Sequence, residues 1–114
     1  MDEVVKKIAA LGVPGLVFTV ALATTGLSGA AAITAALAML GPGGIIGGIA
    51  FLGVAGLIMH GLTEFGVEKI SEGVIKELYL QGESKESIKE QISKFPISKK
   101  LKLQLNDKLD SFKI

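Results

Sequence analysis

The chain has 114 residues, 12 lysines against 11 acids, a formal net charge of +1, one histidine and no cysteine. That inventory excludes disulfides, thiolate nucleophiles and Cys-type zinc sites. One histidine builds no His-based metal site alone, and a near-zero net charge gives no field to attract nucleic acid. The charges are not spread evenly: between Lys7 and Glu64 there is no Asp, Glu, Lys or Arg, and most of the 15 glycines fall in that stretch. A bilayer crossing needs about 20 apolar residues, so the stretch is long enough for two.

Met1 to Leu11 reads as an amphipathic lead-in, with Val4, Val5, Ile8 and Leu11 at helical spacing and Asp2 and Glu3 placed where a helix N-terminus favours acids. Lys6, Lys7, the apolar run from Ile8 to Val20 and Ala21-Leu22-Ala23 imitate a secretory signal peptide. Asp2 and Glu3 dilute its basic part, and the apolar sequence continues past the would-be cleavage site, so the expectation is an uncleaved segment. Pro14 suits the first turn of a new helix, which is expected to run through Phe18, Leu22, Ala30 and Ile33 to Leu40. Gly26-Leu27-Ser28-Gly29 is its weak point, because two glycines cost about 2 kcal/mol of helix propensity and Ser28 can cap a new start. One helix or two shorter ones both satisfy this stretch.

Gly41, Pro42, Gly43 and Gly44 form the clearest break, and the hairpin turn is placed there. A second apolar helix is expected from about Ile45 to Leu62, about 27 Å long against a hydrocarbon core of about 30 Å. The turn has no lysine while both chain ends do, which puts both termini on the cytoplasmic side of a bacterial inner membrane or its equivalent.

After Glu64 the pattern becomes that of short amphipathic helices. Val67, Ile70, Val74, Ile75 and Leu78 make one stripe, in a helix expected to continue the spanning one and to close at Gly82. Ser84 caps a helix carrying Ile88, Ile92 and Phe95, which Pro96 ends; Ser98 caps a last one with the stripe Leu101, Leu105, Leu109 and Phe112. The expected fold is therefore all-α: a glycine-rich transmembrane hairpin over 1–66 and a charged helical tail over 67–114. Such a tail is small enough to lean on the membrane part, on copies of itself or on a protein partner.

Two small-residue ladders mark helix-contact faces. Gly26, Ala30, Thr34 and Ala38 recur every four residues, and Gly44 and Gly48 form a GxxxG pair with Gly56 two turns further along. In lipid, where no hydrophobic effect drives helices together, such faces allow close backbone approach. They either join the hairpin to itself or assemble several hairpins into a homo-oligomer. A polar stripe for a pore is thin, comprising Thr19, Thr24, Thr25, Ser28, Thr34 and His60. His60 and Glu64, one turn apart, form either a pH-responsive pair or an interfacial helix end. Lys94, Lys99, Lys100 and Lys102 form a basic cluster, read either as a solvated face or as a contact for anionic headgroups. No nucleophile with a base, phosphate-binding loop or paired-carboxylate cleft is legible, so neither catalysis nor a cofactor is expected.

The runs Gly26-Leu27-Ser28-Gly29-Ala30-Ala31-Ala32-Ile33 and Gly43-Gly44-Ile45-Ile46-Gly47-Gly48 resemble the core of the small interferon-alpha-inducible hydrophobic membrane proteins. That family is associated with organelle membranes and cell-death control, and the lysine-rich tail here departs from it. The layout of two apolar helices, a tight turn and a charged C-terminus is similar to that of phage holins, which make lesions in the inner membrane. Membrane permeabilisation by a homo-oligomer is the leading expectation. A non-conducting anchor whose tail recruits a partner, and a soluble helical assembly burying the apolar stretch between subunits, are the alternatives.

Overall fold

A computed structural model describes residues 1–25, 29–39 and 48–112. Among the described residues there are seven helices and no strand: α1 (Asp2–Ala10), α2 (Val13–Thr24), α3 (Gly29–Met39), α4 (Gly48–Phe65), α5 (Val67–Leu80), α6 (Lys85–Lys94) and α7 (Lys99–Ser111). The fold is all-α. The stretch after Pro14 takes the two-helix form, with α2 ending at Thr24 and α3 beginning at Gly29. At 12 and 11 residues, these helices are about 18 and 17 Å long, well short of a bilayer core. α4, with 18 residues, carries His60 and Glu64 in its last turns. No helix among the described residues is long and apolar enough to cross a membrane. The hairpin turn Gly41, Pro42 and Gly43, and the ladder positions Gly26 and Gly44, lie outside the described residues.

The expected continuation of the second apolar helix into the tail does not occur. Gly66 adopts φ 85°, ψ 157°, a region open essentially to glycine alone, and the chain turns there between α4 and α5. Gly82, at φ 104°, closes α5 where expected. The Glu83 amide donates to the Leu78 carbonyl at 3.0 Å and the Gly82 amide to that of Tyr79 at 3.1 Å, the paired closure of a Schellman motif. Ser84 caps α6 through a reciprocal pair with Ser87 at 2.9 and 3.0 Å, and Ser98 accepts from the Leu101 amide at 3.1 Å to cap α7.

α2 is the axis of the assembly. It is apolar around its whole circumference, which is the pattern of a helix buried on all sides. Leu16, Val17, Phe18, Val20 and Ala21 are at most 1% exposed, and α2 touches each of the other six helices. The amphipathic helices supply its wrapping: Val4, Val5 and Ile8 from α1, Ile70, Val74, Ile75 and Leu78 from α5, Ile88 and Ile92 from α6, and Leu101, Leu105 and Leu109 from α7 join one core with it. The charged tail thus packs onto the apolar helix. The total accessible surface, 6143 Å² at 11.8 kDa, is close to the roughly 5,900 Å² of a folded globular monomer of that mass.

α1 is held by close backbone approach. A Cβ on Gly15 would lie 2.3 Å from the Ile8 carbonyl oxygen, one on Gly73 2.7 Å from a Val5 methyl, and one on Gly61 3.0 Å from a Val4 methyl. Three glycines from three different helices therefore open the space into which α1 fits.

Candidate functional site

The feature that separates this molecule from an ordinary helical bundle is the pair α3 and α4, which carries no acid or lysine before Glu64 near the end of α4. Their inner faces pack inward through Ala32 and Ala36 on α3 and Ala55 and Ile58 on α4, all at most 1% exposed. Their outer faces carry Ala31, Thr34 and Ala38 on α3, and Gly53, Gly56, His60, Thr63 and Glu64 on α4. Small residues point outward because the larger Ile33, Leu37, Leu57 and Leu62 pack against the core. Of the two ladders, Thr34, Ala38 and Gly56 are thus exposed, and Ala30 and Gly48 sit in the first turns of α3 and α4.

Gly53, Gly56, His60 and Glu64 recur at steps of three and four and share one side of α4. A Cβ on Gly53 or Gly56 would meet nothing within 4 Å. The glycine face and the titratable pair, which sequence spacing treats as separate features, are therefore one surface. His60 Nε2 lies 3.0 Å from Glu64 Oε2, with side chains 72% and 52% exposed, so the pair meets solvent at the end of the helix. Gly53 is absent from the ladder expected from the sequence; its spacing of three, not four, from Gly56 is the signal that would have included it.

Four threonines of the apolar stretch donate their hydroxyls to carbonyls one turn back in the chain. Thr19 donates to the Gly15 carbonyl at 2.8 Å, Thr24 to Ala21 at 2.9 Å, Thr25 to Leu22 at 3.0 Å and Thr63 to Met59 at 3.0 Å. This back-bonding satisfies a hydroxyl without water or a partner helix.

The tail stripe is used within the chain. Leu101, Leu105 and Leu109 are buried, and the half-buried Phe112 ring sits 5.6 Å from that of Tyr79 at 52°. Burial is the main cause that raises the Tyr79 pKa above its ordinary value. Across the α6–α7 face, Asp110 accepts from Lys85 at 2.8 Å and Lys89 at 2.7 Å. These two hydrogen bonds hold its carboxyl at a pKa of about 2, and the same contact raises that of Lys85. A hollow of about 360 Å³ opens between α2, α5 and α7 where Lys108 reaches Glu68 at 2.7 Å. No cluster of three His, Asp or Glu side chains able to hold a metal occurs among the described residues.

The chain matches no family model, no curated protein and no solved structure.

Proposed function

We propose that the protein is a membrane-active helical protein whose apolar helix pair, α3 and α4, enters a lipid bilayer, assembles with copies of itself through the glycine face and permeabilises the membrane. One observation carries this reading: the exposed positions described on α3 and α4 include the small, uncharged Ala31, Thr34, Ala38, Gly53, Gly56 and Thr63 beside His60, and no acid or lysine precedes Glu64 near the end of α4. Lipid tolerates such a face, and small residues on it permit helix association there. α1, α2 and α5 to α7 supply most of the buried side chains of the single core, to which α3 and α4 add Ala32, Ala36, Ala55 and Ile58.

Dye release from loaded liposomes, read together with carbonate extraction of the membrane-bound protein, tests this. Release that scales steeply with protein concentration and persists in carbonate-resistant material is the expected result; protein that stays monomeric and leaves vesicles intact across lipid compositions refutes it. The burial of α2 from Gly15 to Leu22 favours a second reading, a soluble homo-oligomer that covers the α3–α4 face between subunits. Sedimentation in plain buffer separates the two: a stable oligomer that does not bind vesicles supports the second.

A further inference from the structure

The α6–α7 elbow concentrates positive charge that the rest of the chain lacks. From Ser93 to Leu103 there are four lysines and no acid. Lys94 pairs with Glu90 at 3.3 Å, with both side chains about 70% exposed, a contact that leaves the ammonium open to solvent. Lys102 is folded back, its Nζ donating to the Ser93 carbonyl at 3.0 Å, and so ties the elbow shut. Lys99 and Lys100 are exposed and stand in the first turn of α7, where the helix dipole adds to their own positive potential. α1, α5 and α6 instead place acids in that turn.

Beside these lysines lies apolar surface. Leu103 is 63% exposed, one turn from Lys99 and Lys100 on the same side of α7. A hollow of about 280 Å³ lined by Gln91, Lys94, Phe95 and Pro96 adjoins them. An exposed leucine among solvent-open lysines suits a surface that is diffusely anionic outside and apolar just beneath. It suits nucleic acid poorly: the chain has no arginine, and Phe95 packs partly against the core.

We propose that the elbow between α6 and α7 is the docking surface for an anionic phospholipid bilayer, with Lys94, Lys99 and Lys100 on the headgroups and Leu103 entering the layer beneath them. This deepens the membrane reading above by naming the face that meets the bilayer first. It concerns reversible surface binding, which is measured apart from permeabilisation.

The test is co-sedimentation of the full chain with phosphatidylcholine vesicles and with phosphatidylserine-rich ones. Wild type should prefer the serine-rich vesicles and release from them at high salt. The triple variant Lys94→Gln, Lys99→Gln, Lys100→Gln should bind roughly 100-fold more weakly. A charge-matched control, Lys6→Gln, Lys69→Gln, Lys76→Gln, removes exposed lysines elsewhere and should stay within a few-fold of wild type. Leu103→Ser should weaken binding at unchanged charge. Helical circular dichroism confirms that all four proteins fold alike. Equal losses in the two triple variants, an unaffected elbow variant, no lipid-charge preference in wild type, or tighter binding to single-stranded RNA than to the vesicles overturns the assignment. Dye release in the same samples judges the membrane reading separately, since an elbow variant that still permeabilises at high lipid leaves that reading standing whatever becomes of the elbow.

Discussion

Two glycine-to-alanine changes of identical chemistry should move stability in opposite directions. At Gly15 the new methyl would lie 2.3 Å from the Ile8 carbonyl oxygen and 3.0 Å from the Leu11 Cβ. An ordinary contact begins near 3.4 Å, so α1 and α2 must part by about 1 Å, and the first obstacle is backbone that no rotamer change relieves. Overpacking of this kind costs about 1–3 kcal/mol, and the better helix propensity of alanine returns at most about 1 kcal/mol. A net loss of about 1–2 kcal/mol lowers Tm by roughly 4–10 °C for a domain of this size. At Gly56 the same methyl meets nothing within 4 Å. Only the propensity gain remains, about 0.5–1 kcal/mol, and Tm should rise by roughly 2–5 °C. Urea and thermal melts followed by circular dichroism read both variants at a concentration where the protein is monomeric. A Gly15→Ala protein as stable as wild type would refute the close approach of α1 to α2. If, at higher concentration where wild type forms oligomers, Gly56→Ala instead shifts the protein toward smaller species, another copy occupies that face.

Other substitutions test other parts of the argument. Gly66→Ala forces a side chain into a backbone conformation at φ 85° and should cost about 1–3 kcal/mol, read as a lower urea midpoint with an unchanged slope. Leu105→Ala removes a fully buried side chain of α7 and should cost about 2–5 kcal/mol; a loss below 0.5 kcal/mol, roughly that of a surface site, would show that the stripe does not face the core. Asp110, whose folded pKa of about 2 lies below its unfolded value near 4, contributes stability that is complete above about pH 4 and is lost as pH falls toward about 2. Thermal melts of Asp110→Asn should therefore be lower than wild type at neutral pH and should converge with it near pH 2.

The tail was legible because its signals are local. Ser84, Ser98, Gly82 and Pro96 punctuate it through caps and closures that involve residues two to five positions away, and its stripes keep a period near 3.6. The break at Gly66 was not legible, since a lone glycine between two apolar periodic runs is also compatible with a continuous helix, and only the packing of α5 on α1 decides. Nor does the sequence separate two uses of an apolar helix. α2 has the same uniform apolar surface whether lipid or other helices surround it, and what distinguishes the cases is the sum of stripes on α1, α5, α6 and α7 that closes over it. The glycines divide for the same reason: Gly15, Gly61 and Gly73 are needed by α1, whereas Gly53 and Gly56 face outward, and composition cannot tell one group from the other. The Lys85–Asp110 and Lys108–Glu68 contacts join positions far apart in the chain and leave no trace in local spacing.

The seating of α1 also sets an order of events during synthesis. Val5 packs at Gly73, so α1 must wait roughly 70 residues for its principal partner, about 3–14 s at ordinary rates of translation. The whole uncharged stretch emerges in that interval, ahead of α5, α6 and α7, which later cover α2. A bilayer or a chaperone that meets the nascent chain then competes with helices not yet made, and the outcome depends on how soon the ribosome delivers them.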